Sequence, residues 1–170
     1  MTDDDFDRVL RFTAAASRDH AYRPYSDLAV GAALEVELGD GTRAVFGGCN
    51  VENASFGLTM CAERVAVGNA VAAGARRVLR VVIATEGERP LTPCGACRQV
   101  LAEFAGPDVE VLCTTSGGAE VRYTIADLLP ASMGQGDLPG RGAESTSTGR
   151  PGGSVDSDPD DGSDLARGAS

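Results

Sequence analysis

The chain has 170 residues, 42% of them apolar, and carries a formal net charge of −10. That length supports one domain with a sizeable core, and no apolar run approaches the roughly 20 residues that a bilayer crossing needs. The acidic balance disfavours a nucleic-acid partner, and the opening MTDDDFDRVL lacks the basic-then-apolar order of a signal peptide, which points to the cytoplasm.

In chain order, Thr2 and Asp3 are placed to cap a first helix running to about Arg18, with Phe6, Val9, Leu10 and Thr13 at helical spacing. YRPYSD follows as a loop. Residues 28–38 read as a strand, GDG at 39–41 as a tight hairpin turn, and residues 43–49 as the returning strand. Residues 60–73 are dense in Ala and Val and read as a helix that Gly74 stops. A third strand is predicted at 78–85, a helix at 95–104, further strands at 109–115 and 120–124, and a short helix at 125–129 ended by Pro130. This alternation predicts a layered α/β domain over residues 1–133, with helices covering a mixed five-stranded sheet. From Gly134 to Ser170 the composition changes to nine Gly, six Ser, six Asp and three Pro among 37 residues, read as a disordered acidic tail.

The chemistry-bearing residues cluster in TMCAER (59–64) and TPCGACR (92–98). In both, a cysteine stands where the chain enters a helix, and the free N–H groups and dipole of a helix start favour thiolate. Pro93 suits such an entry. Five cysteines make an odd number, and a reducing compartment argues against disulfides. Cys61, Cys94 and Cys97 can converge from two adjacent helix starts. Three protein ligands on Zn²⁺ leave one tetrahedral position for water, the pattern of a catalytic site. Cys49 and Cys113 have no partner at ligand spacing and read as small core residues. His20, the one histidine, reads as a surface residue at a helix end.

Glu63 lies two residues after Cys61 in the first helical turn, where a carboxylate is common for dipole reasons alone. Beside an open zinc position it gains a second role, taking a proton from water and passing it to a substrate nitrogen. The pairing of CxE with PCxxC is the signature of zinc deaminases, with Cys in place of the first His. Three thiolates leave Zn²⁺ with a net −1. Two helix N-termini offset part of that charge, and Arg64, donating to a cysteine sulfur, offsets more.

AYRPYSDLAVGAAL (21–34), GCNVENASFGLTMCAERVAVGNAV (48–71), PCGACRQVLAEF (93–104) and DLLP (127–130) together resemble the small homotetrameric cytidine deaminases, over about residues 6–133. The resemblance implies a three-layer α/β/α sandwich with a five-stranded mixed sheet. It implies Zn²⁺, one per subunit, on Cys61, Cys94 and Cys97, with Glu63 as proton shuttle. It also implies Asn50 and Glu52 on the ribose hydroxyls, the Ala62 backbone N–H donating to the base, and Leu28 against the base. A homotetramer with shared active sites, acting on cytidine or deoxycytidine with water in pyrimidine salvage, completes it. The chain departs from the family at three places: Leu28 where Phe is frequent, Phe56 where Tyr is common, and Met133 where an aromatic residue often follows the last helix.

Three other readings stand beside this one. A related deaminase acting on an aminopyrimidine such as blasticidin S keeps the zinc site and changes the pocket. A thiol oxidoreductase using Cys94 and Cys97 leaves Cys61 and Glu63 idle. A zinc-stabilised module without activity requires a fourth ligand. Polynucleotide editing is disfavoured by the acidic charge and the lack of interleaved basic and aromatic residues.

Overall fold

The computed structural model, which describes residues 1–134 and Asp137, begins with a reciprocally capped helix. The Thr2 hydroxyl accepts from the Asp5 N–H at 3.2 Å and the Asp5 carboxylate accepts from the Thr2 N–H at 2.9 Å, which starts α1 (Asp3–Arg18). Phe6, Leu10 and Ala14, spaced by four, form its buried stripe, whereas Val9, expected on that stripe, turns outward.

Five strands follow, interleaved with helices: β1 (Val30–Leu38), β2 (Arg43–Cys49), α2 (Ala62–Ala72), β3 (Ala75–Thr85), α3 (Gly95–Phe104), β4 (Ala105–Thr115), β5 (Glu120–Thr124) and α4 (Ile125–Leu128). The sheet order is β2-β1-β3-β4-β5. β3 and β4 pair in parallel, because the crossover between them passes through α3; the other pairings are antiparallel. Side chains alternate between the two faces. Leu34, Val36, Val81, Ile83, Val111 and Cys113 pack under α2, α3 and α4, while Ala33, Val82, Ala84 and Leu112 pack under Leu10 and Ala14 of α1. The result is the expected three-layer α/β/α arrangement around a five-stranded mixed sheet.

Several element boundaries differ from the sequence reading. β1 starts at Val30, not residue 28, because the Asn50 side chain takes over the pairing there: its Oδ1 accepts from the Val30 N–H and its Nδ2 donates to the Leu28 carbonyl, both at 2.9 Å. α2 starts at Ala62, not residue 60, because Met60 is still extended and exchanges two 2.9 Å backbone bonds with Val51. β3 reaches back to Ala75, which pairs with Leu38, and β4 reaches back to Ala105, which pairs with Val78. The last helix ends at Leu128.

One buried charge lies on the α1 side of the sheet. Glu35 is fully buried and bonded to Arg43 on β2 and, at 2.5 Å, to Arg80 on β3. Arg43 also stacks 4.2 Å from the Phe6 ring centroid and pairs with Asp3 at 2.9 Å, tying α1 to the sheet. Among the described residues no helix is long and apolar enough to cross a membrane. The predicted tail, apart from Gly134 and Asp137, lies outside the described residues.

Candidate metal centre and substrate pocket

α2 and α3 start side by side on one face of the sheet, and each is capped by a cysteine. Cys61 is the residue before α2 and Cys94 the residue before α3, both in extended backbone. Cys97 lies in the first turn of α3 and is fully buried. The sulfurs of Cys61 and Cys94 are 3.8 Å apart, those of Cys94 and Cys97 3.5 Å, and all three lie within 4.8 Å of one another. Three Zn–S bonds of about 2.3 Å in tetrahedral geometry require sulfurs roughly 3.8 Å apart. All three are free thiols, and the donor set is the soft one that zinc prefers. The trio therefore fits a zinc ion in both spacing and chemistry.

The local electrostatics follow from position. Burial works against the Cys94 thiolate, but N–H groups of Cys97 and Ala96 and the neighbouring thiols outweigh it and hold Cys94 below the ordinary thiol range. Cys97 goes the other way, pushed up by burial and by the charges of Glu63 and Cys61. A thiol that holds its proton so firmly needs a cation beside it to ionise, so metal uptake here releases a proton. Arg64 donates from Nη2 to the Thr59 carbonyl at 2.8 Å and to the Cys61 sulfur at 3.6 Å. These two bonds hold the guanidinium against the sulfur, and its Nε is buried without a hydrogen-bond partner.

Glu63 is the second residue of α2 and only 5% exposed. Burial raises its carboxyl above the ordinary range, while its own backbone N–H, the Cys97 thiol and the Arg64 charge partly oppose that shift. A cavity of about 240 Å³ opens over it, lined by Cys61, Ala62, Glu63 and Cys94 at one end and by Leu28, Asn50 and Glu52 at the other. Sulfurs, buried carboxylate and an apolar wall thus share one space of small-molecule size. Ala62 is the first residue of α2, where a backbone N–H has no acceptor within the helix.

Of the sequence-predicted site residues, Leu28, Asn50, Glu52, Cys61, Ala62, Glu63 and Cys94 line this cavity; Cys97 is buried beside Cys94, and Arg64 lies against Cys61. The structure also reveals engagements that the sequence did not suggest. Asn50 spends both ends of its amide on the Val30 and Leu28 backbone. Glu52 accepts from the backbone N–H groups of Tyr25 (2.9 Å) and Ser26 (3.2 Å) and from the Ser26 hydroxyl. These bonds, the Ser26 hydroxyl foremost, hold its carboxyl below the ordinary range. Ser26, Thr59, Leu91 and Thr92 also line the cavity and were not singled out beforehand; RPYSD carries only the signal of a loop. Phe56 stands 5.9 Å from the Tyr25 ring, edge to face, and Met133 is held through its carbonyl by Gln99 at 2.9 Å. Cys113 is a core residue, its thiol raised to about 12 by burial. Cys49, expected in the core, is only half-buried, its thiol 3.5 Å from the His20 carbonyl at the open end of β2.

Comparison with known proteins points the same way. Residues 6–113 match the family described as the cytidine and deoxycytidylate deaminase zinc-binding region. The chain is 43% identical over 122 residues to a cytidine deaminase of Sporosarcina psychrophila, covering 72% of this chain and 87% of that protein. It is 42% identical over 131 residues to one from Halalkalibacterium halodurans, covering 77% and 96%. Its fold is similar to the crystal structure of cytidine deaminase from Burkholderia pseudomallei, with a TM-score of 0.68, 44% identity, and coverage of 78% of this chain and all of that one.

Proposed function

This chain belongs to the cytidine and deoxycytidylate deaminase zinc-binding family, and on that premise we propose that it deaminates cytidine and deoxycytidine hydrolytically to uridine and deoxyuridine in the cavity over Glu63. The observation that carries this reading is a cluster of three thiols, two of which line the same cavity as one buried carboxylate. Cys61, Cys94 and Cys97 hold zinc, one ion per subunit. When bound, zinc supplies the Lewis acidity that brings the pKa of water down towards about 7.

Glu63 moves the protons. The reaction places the oxygen of water on C4 of the ring, breaks the bond from C4 to the exocyclic nitrogen, and distributes the two protons of water to N3 and to the departing ammonia. Glu63 takes a proton from water, delivers it to N3, and then serves the leaving nitrogen. Burial raises its proton affinity towards the working pH, as a group that must both accept and donate requires. Arg64 steadies Cys61 and offsets thiolate charge. The Ala62 N–H donates to the base, and Leu28 forms an apolar wall against it. Asn50 and Glu52 meet the ribose hydroxyls, and polar groups placed for those hydroxyls disfavour ligands that lack them.

The protein acts as a homotetramer with shared active sites. Large apolar side chains remain exposed on the segments that frame the cavity, among them Tyr22, Tyr25, Val51, Phe56 and Leu58, which supports a covering subunit. Its setting is pyrimidine salvage in the cytoplasm. Metal analysis combined with ultraviolet assays of cytidine, deoxycytidine and blasticidin S tests the proposal. It expects one zinc per chain and a kcat/KM for the nucleosides far above that for the antibiotic. A metal-free active protein, or the reverse preference, overturns it.

A further inference from the structure

α2 lies directly on the β2 backbone at Gly48. A Cβ at position 48 would stand 2.4 Å from the Ala66 nitrogen, 2.7 Å from the Ala62 carbonyl oxygen and 3.0 Å from the Ala66 Cα. All three are backbone atoms of the first turns of α2, so no change of rotamer relieves the contact. On its opposite face the same strand rests on α1, where a Cβ at Gly47 would stand 2.4 Å from the Ser17 hydroxyl oxygen and 2.8 Å from the Thr13 methyl carbon, so the strand has little room to retreat.

The neighbouring helix packs against α2 and has a tie of its own to α4. Arg98 on α3 donates to the Pro93 carbonyl at 2.8 Å and to the Leu128 carbonyl at 2.9 Å. Cys94 and Cys97 are thus tied to α4 as well as to α2, whereas Cys61 and Glu63 take their position from α2 on β2.

We propose that Gly48 is a positioning residue for the metal centre: its missing side chain sets the depth at which α2 docks, and with it the distance from Cys61 to Cys94 and Cys97. The inference rests on the reading of these three cysteines as zinc ligands. Raising the closest contact from 2.4 Å to the 3.4 Å of ordinary packing moves the start of α2 by about 1 Å. Metal sites lose function at displacements of roughly half that size.

The fold supplies its own control. A Cβ at Gly31 would stand 2.0 Å from the Ala14 carbonyl oxygen and 2.4 Å from the Arg18 nitrogen. That clash is as severe, but it falls on α1, which lies on the opposite face and carries no ligand.

The test uses the full-length zinc-loaded protein as wild type, Gly48→Ala and Gly31→Ala, with competition against a chromogenic zinc chelator and the absorption of the cobalt(II)-substituted forms. Gly48→Ala is expected to bind zinc roughly ten- to a hundredfold more weakly, the range for groups that support metal ligands, and to lose intensity in the thiolate-to-cobalt band. Gly31→Ala should melt lower than wild type yet match it in both metal readouts. Wild-type zinc affinity and cobalt spectrum in Gly48→Ala, or an equal loss of affinity in Gly31→Ala, overturns the inference. If Gly48→Ala does not fold, Asn69→Ala decides. Asn69 on α2 donates to the Gly47 carbonyl at 2.9 Å, so its loss unties the same helix from the same strand without adding an atom. A zinc affinity more than threefold weaker supports the proposal and an unchanged affinity refutes it. A wild-type protein that takes up no zinc removes the underlying site reading itself.

Discussion

The sulfurs of Cys61 and Cys94 lie 3.8 Å apart although the two residues are 33 positions apart in the chain. Two different helices, each starting on the same face of the sheet, deliver them. The candidate metal centre therefore spans two helices, and a metal held there links its integrity to the stability of the fold.

Cys94→Ala tests that linkage. With two sulfurs left, zinc is no longer held, and the stabilisation that a bound metal gives the folded state disappears. Added zinc should raise the melting temperature of chelator-stripped wild type by about 10 °C and leave Cys94→Ala unchanged. An equal shift in both proteins contradicts the ligand assignment.

Ser26 bears on substrate affinity. Its hydroxyl donates to Glu52 and accepts the Leu28 N–H at 3.1 Å, so it links the carboxylate to the apolar wall. Ser26→Ala removes the hydroxyl bond to Glu52 and leaves the two backbone bonds from Tyr25 and Ser26 in place. The expected outcome in steady-state kinetics is a KM for cytidine up to about tenfold higher, with kcat changed less than twofold. A fall in kcat at constant KM would speak against the assignment of Glu52 to substrate binding.

Glu35 tests the opposite face of the sheet. Glu35→Ala leaves Arg43 and Arg80 without the carboxylate they share. Because the carboxylate is fully buried but both arginines reach solvent, its loss is expected to cost about 2 kcal/mol of stability in urea unfolding. Zinc content and the KM for cytidine should not change, because the network lies under α1, away from the cavity. A loss below 1 kcal/mol rules out a structural role for the pair.

The helix cap gives a pH signature. The Thr2 backbone N–H, the Thr2 hydroxyl and Arg8 hold the Asp5 carboxyl down at about 2, against an ordinary 3.8. The folded state thus favours the ionised form. Its contribution is full above about pH 4 and is lost as pH falls towards 2. With both proteins stripped of metal, Asp5→Asn should melt about 3 °C below wild type at neutral pH, and the gap should close between pH 4 and pH 2. A gap constant across that range removes the cap from the account.

Much of this arrangement was legible in the sequence where local pattern and tertiary demand agree. β2, α3 and β5 lie where alternation, helix spacing and flanking turns put them. The paired cysteine motifs announced the metal centre because each stands at a helix entry. Where long-range pairing decides, the sequence was silent. Arg76 and Arg77 look like a loop, yet Arg77 pairs with Glu37 and keeps β3 going. Glu35 looks like an outward-facing strand residue, and only the fold brings Arg43 and Arg80 to it. Ser26 and Gly48 have no local signature, because what matters at each is the backbone or carboxylate that another segment places beside it.

The most direct test of the central claim is zinc content and cytidine turnover measured together on wild type and Glu63→Gln. The amide keeps the size of the side chain but cannot carry a proton between water and the ring. The account predicts one zinc per chain in both proteins and a kcat lowered about 10³-fold in the variant. Turnover close to wild type in a fully zinc-loaded Glu63→Gln would contradict it.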